Sequence, residues 1–155
     1  MVGQEKECLI WQTGLNMNNS EYKIVIAGSG PGGLMAALAL KKQGFSSLVV
    51  ESASREKICA DIGGSYHIGS PTLSVLEHLG VAEQCRSAGT RFSTLKVFAS
   101  DGSVIMKMPL PQNIDMMTLR RSSLQTSLLS LLDQSQMRCE VSVSSFEEIE
   151  EKVLV

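Results

Sequence analysis

Tyr22-Lys23-Ile24-Val25-Ile26-Ala27-Gly28-Ser29-Gly30-Pro31-Gly32-Gly33-Leu34 begins the decisive stretch of this 155-residue chain, and Leu48-Val49-Val50-Glu51 completes it. The order reads as an apolar strand, a glycine loop, a helix, a second strand and an acid. In such a loop the first glycine allows the tight turn, the second lets the backbone approach a pyrophosphate, and the third lets helix and strand pack closely. Gly28, Gly30 and Gly33 stand at those three positions, with Ser29, Pro31 and Gly32 between them. The first turn of the helix then turns free N–H groups and the positive end of its dipole toward an anion. A Walker loop would end in Gly-Lys-Ser/Thr, whereas this one runs on into Gly33-Leu34-Met35.

Geometry ties the loop to the acid. A helix from Pro31 to Gln43, ended by Gly44, carries the chain roughly 20 Å away from the loop. A strand from Ser46 to Glu51 carries it roughly 20 Å back. Glu51 is therefore expected level with the loop, about one ribose away, where a carboxylate can accept both ribose hydroxyls and repel a 2′-phosphate. The candidate cofactor-binding set read here is Gly28, Ser29, Gly30, Pro31, Gly32, Gly33 and Glu51. The plainer alternative is a glycine turn that binds nothing.

Around this unit, 43% hydrophobic and 19% charged residues describe an ordinary globular protein of one domain. A net charge of −2 makes no case for nucleic acid, so small molecules are the expected partners. Cys8, Cys59, Cys85 and Cys139 are widely spaced, with His67 and His78 as the only imidazoles, and this pattern does not point to a metal site. Glu5, Lys6 and Glu7 ahead of a short apolar run are unlike a signal peptide, and no run reaches the length of a membrane span. The expected compartment is the cytoplasm, with reduced thiols.

Residues 1–20 lack clear periodicity and read as a flexible amino-terminal extension, unless Leu9, Ile10 and Trp11 pack on the domain formed by residues 21–155. Ser52 to Gly64 reads as a polar loop containing Arg55 and Asp61. Ser70-Pro71 can cap and start a helix whose Leu73, Leu76 and Leu79 face a core. Phe92 to Ala99 and Val104 to Met108 flank Asp101-Gly102, a hairpin signal. Met106, Met108, Met116 and Met117 suit either core filling or an adaptable pocket. Ser122-x-x-Gln125 has the form of a capping box at the start of a helix that buries Leu124, Leu128, Leu131 and Leu132. Glu140 to Ser144 is strand-like, and Val153-Leu154-Val155 reads as a strand without a neighbour, hence prone to aggregation. The expected fold class is α/β, a Rossmann-like βαβ unit with a parallel sheet and an inserted antiparallel hairpin.

The residues Ile26-Ala27-Gly28-Ser29-Gly30-Pro31-Gly32-Gly33-Leu34, with Ala36, Ala37, Leu38 and Val49-Val50-Glu51, resemble the amino terminus of the FAD-dependent aromatic-ring monooxygenases, the para-hydroxybenzoate and salicylate hydroxylase group. Leu73-x-x-Leu76-x-x-Leu79-Gly80-Val81 is similar to the family's later helix, and Leu119-Arg120-Arg121-Ser122-Ser123-Leu124 to its Arg-x-x-Leu segment. The likeness covers Tyr22 to Leu132. It implies FAD as cofactor, NAD(P)H as the transient reductant of the full-length enzyme, and hydroxylation of a small aromatic substrate with O2. It adds Arg121 to the cofactor-binding set, reaching phosphate or ribityl oxygens; charge pattern alone leaves Arg121 equally readable as a surface arginine.

Two departures from the family stand out. Ser52 follows Glu51 where the family commonly has arginine, with Arg55 as a substitute, and the family's later Asp-Gly and Gly-Asp flavin segments have no counterpart in position. The resemblance thus implies an incomplete family domain, with catalytic residues unassigned. An NAD-dependent dehydrogenase fragment and a catalytically silent nucleotide-binding or interaction module are the alternatives.

Overall fold

The computed structural model describes residues 24–111, 114–149 and 152–154. The expected extension, with Trp11, lies outside them. Strands β1 (Ile24–Ala27) and β2 (Ser47–Val50) run parallel, Ile24 opposite Ser47 and Ala27 opposite Val50. Parallel neighbours need a long crossover, and helix α1 (Pro31–Lys42) supplies it. The chain leaves α1 through Gly44, at φ +80°, with the Phe45 N–H bonded to the Leu40 carbonyl.

The chain continues through α2 (Arg55–Cys59), β3 (Ser65–Ile68), α3 (Ser70–Leu79), α4 (Ala82–Ala88) and β4 (Thr90–Arg91). Next come the hairpin of β5 (Thr94–Phe98) and β6 (Val104–Pro109), then β7 (Met117–Arg120) and α5 (Arg121–Leu129). A 3-10 turn, Gln134–Gln136, leads into β8 (Met137–Arg138), which joins the parallel sheet beside β2 in the order β1-β2-β8. An antiparallel sheet runs in the order β3-β7-β4. The α/β class, the parallel sheet and the hairpin are as the residue pattern implies.

One apolar core joins the parts. Leu34 and Leu38 of α1, Val49 of β2, Leu76 of α3 and Leu124 and Leu128 of α5 are all buried in it. The small Ala37 is fully buried between them, which brings α1 close to the sheet. The β5-β6 hairpin stands apart, with Val97, Phe98, Val104, Ile105, Met106 and Met108 exposed. Met106 and Met108 are therefore not core, whereas Met117 is.

Local details depart from the expectations in five places. Gly69, not Ser70, is the N-cap of α3, because Ser70-Pro71 already occupy the first two helical positions. The capping box at Ser122 does not form: Arg120 occupies the cap position, the Arg121 N–H bonds to the Gly64 carbonyl, and Ser122 Oγ donates to Asp61. The loop after Glu51 contains α2, capped by the Ser54 hydroxyl accepting from the Lys57 N–H. The strand-like Glu140 to Ser144 is not a strand, because Glu140 sits at φ +61° and breaks the extended path; the strand in this region is Met137–Arg138. Finally, Val153 has a neighbour after all: β10 (Lys152–Leu154) pairs antiparallel with β9 (Glu147–Ile149).

Candidate functional site

The glycine loop is shaped by backbone requirements that can be read atom by atom. Gly28 adopts φ +98°, a region that L side chains avoid. Its N–H bonds to the Val50 carbonyl at 2.7 Å, which seats the start of the loop on the end of β2. A Cβ on Gly33 would lie 2.1 Å from the Gly28 carbonyl oxygen, so only glycine lets α1 pack this closely on the turn. Gly30 is the N-cap of α1 and Pro31 its first residue, where a missing N–H costs nothing. A Cβ on Gly30 or Gly32 would meet nothing within 4 Å. That open space lies beside a helix start whose first N–H groups no helix can satisfy internally, the environment a phosphate requires.

Glu51 ends level with this loop and is closer to it than expected. Its Oε2 accepts from both the N–H and the hydroxyl of Ser29, each at 2.8 Å. Oε1 accepts from the Ala53 N–H at 2.8 Å and from the Ser52 hydroxyl at 3.2 Å. The backbone around the acid is equally fixed, the Glu51 N–H bonding to the Arg138 carbonyl and its own carbonyl accepting from Val141. Partial burial works against the charge, but the Ser29 and Ala53 N–H groups and the two hydroxyls outweigh it and hold the carboxyl down to about 2. Glu51 is thus a full anion at neutral pH. Each oxygen thus accepts from one backbone N–H and one rotatable hydroxyl.

Arg121 opens α5 beside the loop. Its Nε donates to the Ile62 carbonyl at 3.2 Å, and its Nη1 to Gln125 Oε1 at 2.6 Å. Gly63, at φ +97°, brings the backbone against the guanidinium, since a Cβ there would lie 3.2 Å from Nε. The neighbouring Arg120 is the surface arginine, paired with Asp61. Arg55 starts α2 and is exposed. Two residues at the site escaped the sequence reading. Gln125 is buried and donates to the Ser29 carbonyl at 3.2 Å, and Asp61 gathers Arg120 and Ser122 at the entrance of α5. The spacing of Arg121 and Gln125, four residues on one helix face, was the available signal.

The arrangement suits an adenine dinucleotide: a helix start for phosphates, a turn that excludes side chains, and an ionised acid for a ribose. A model of the FAD binding domain matches residues 21–151 of the chain. The chain belongs to the FAD binding domain family. Its similarity to individual proteins is consistent with the aromatic-monooxygenase resemblance. It is 32% identical to 3-hydroxybenzoate 6-hydroxylase of Polaromonas naphthalenivorans over 93 residues, 59% of this chain and 22% of that protein. It is 41% identical to a chloroplastic zeaxanthin epoxidase of an Oncidium hybrid cultivar over 80 residues, 48% of this chain and 12% of that protein. In fold it resembles p-nitrophenol 4-monooxygenase PnpA from Pseudomonas putida DLL-E4, with a TM-score of 0.71 at 23% identity, over 85% of this chain and 35% of that one.

This FAD-binding domain therefore spans about a third or less of the length of these relatives. Among the described residues no helix is long and apolar enough to cross a membrane, and no group of three His, Cys, Asp or Glu side chains is placed to hold a metal ion.

Proposed function

We propose that the chain forms the part of the FAD site that holds the ADP half of the cofactor in a flavin-dependent monooxygenase, which uses NAD(P)H and O2 to hydroxylate a small aromatic substrate in the cytoplasm. The observation that carries this reading is the direct seating of the Glu51 carboxylate on the glycine loop through Ser29. In the proposal Gly28, Ser29, Gly30, Pro31, Gly32 and Gly33 receive the pyrophosphate, Glu51 binds the adenosine ribose, and Arg121 reaches the phosphate or ribityl oxygens. FAD bound here would accept reducing equivalents from NAD(P)H and pass them to O2. The residues of this chain bind and orient it. The family match favours FAD over the NAD-dehydrogenase reading.

Calorimetric titration of the chain with FAD, ADP and NAD is the test. FAD and ADP are expected to bind, with NAD at least tenfold weaker than FAD. Preferential NAD binding would overturn the reading. Gly30→Val is expected to abolish binding of both ADP and FAD by filling the space left for the pyrophosphate.

A further inference from the structure

Gln125 stands where no residue of its type is needed for packing. It lies on the inner face of α5 between Leu124 and Leu128, and only 3% of its surface is exposed. A buried amide is tolerated only when its polar atoms are bonded, and here both ends are. Nε2 donates to the Ser29 carbonyl at 3.2 Å, and Oε1 accepts from Arg121 Nη1 at 2.6 Å. These partners fix the direction of the amide, because the reverse orientation would set NH2 against a guanidinium and oxygen against a carbonyl.

Each partner is itself tied to the ligand site proposed above. Ser29 is fully buried and gives its N–H and hydroxyl to Glu51, so that residue 29 is held through its N–H by the acid and through its carbonyl by Gln125. The guanidinium of Arg121 is held by the Ile62 carbonyl and Gln125, while Nη2 has no acceptor among the described residues. Nor does any acid among the described residues pair with Arg121, since Asp61 is engaged by Arg120. A cation oriented on two edges, with its third nitrogen and its charge unspent, is arranged for an anionic ligand.

We propose that Gln125 is a positioning residue of the FAD site: it joins the Ser29 carbonyl of the phosphate loop to the Arg121 guanidinium, so that loop and arginine engage the ligand as one unit. This rests on the FAD reading. It assigns the amide a task beyond filling α5, and it makes the contributions of residues 29 and 121 interdependent.

A double-mutant cycle on the 155-residue chain tests it, with FAD and ADP dissociation constants from calorimetry and the melting temperature of the ligand-free protein measured alongside. Gln125→Met keeps the shape and removes both hydrogen bonds. It is expected to weaken FAD about tenfold, Arg121→Ala to weaken it by a similar factor, and the double variant to be little weaker than either single one. Penalties that multiply would overturn the proposal, as would a folded Gln125→Met with wild-type FAD affinity, because a side chain that merely fills space gives those results. If Gln125→Met does not fold, Gln125→Asn serves: it keeps a neutral amide but is one methylene too short to reach both Ser29 and Arg121, so weakened FAD supports the tether and wild-type affinity refutes it. A wild-type chain that binds neither FAD nor ADP would overturn the underlying FAD reading instead.

Discussion

Replacing Glu51 by Gln probes the acid before any ligand is added. The carboxylate accepts two backbone N–H groups, from Ser29 and Ala53, and a glutamine amide must turn its NH2 toward one of them. The drop from the ordinary 4.5 to about 2 corresponds to about 3.4 kcal/mol without screening. The carboxylate is partly open to water, and screening reduces this to about 1–2 kcal/mol. The melting temperature of the ligand-free variant should therefore fall by about 2–8 °C at pH 7. Because the folded-state value is depressed, this stabilisation is fully present above about 4.5 and is lost as pH falls toward about 2. Circular-dichroism melts of wild type and Glu51→Gln at steps from pH 7 to pH 3 measure the difference between them, in which other titrating groups cancel. The gap should hold steady down to pH 5 and shrink to less than half at pH 3. An equal gap at pH 7 and pH 3 would refute the charge-based account. With FAD present, the same variant should bind about tenfold more weakly, as neutral hydrogen bonds replace charged ones.

Gly33 and Gly30 separate fold from binding: Gly33→Ala drives a Cβ into the Gly28 carbonyl and should cost several °C in melting temperature, while Gly30→Val should melt within about 2 °C of wild type yet lose ADP in calorimetry. Cys85 is fully buried, and burial pushes its thiol up against the opposing Ser127 hydrogen bond. Thiol-reagent titration should modify it only on unfolding, after the half-buried Cys59 and Cys139. Ile105→Lys, on the exposed hairpin, should raise the soluble yield on expression and leave the melting temperature within about 1 °C, because that side chain contributes little buried surface.

The legible parts of the molecule were those set by local chemistry. A glycine loop, a helix of known rise and a returning strand place Glu51 by distance alone, and the β1 and β2 register bears this out. The Asp101-Gly102 turn likewise announced its hairpin. What stayed hidden depends on partners far along the chain. Ser122 and Gln125 have the spacing of a capping box, but Asp61 competes for the serine and Ser29 for the glutamine, and each offers a bond that the helix end alone cannot. The strand at Met137–Arg138 was missed because two residues show no alternation, and their assignment follows from the open edge of β2. Arg120 and Arg121 were indistinguishable by charge pattern until Asp61 claimed one of them.

The tether from Gln125 to Ser29 also bears on how the chain folds. It closes a span of 96 residues, whereas Ser29 and Glu51 are 22 apart. Closing the longer span costs about 1.3 kcal/mol more in chain entropy. The loop and its acid can meet as soon as one strand-helix-strand unit collapses, while the arginine arm waits for α3, α4 and β7 to bring α5 home. The glycine loop and Glu51 are thus expected to come together early and Arg121 to join them late, an order that pulse-labelling hydrogen exchange would see as early protection at Gly28 and delayed protection in α5.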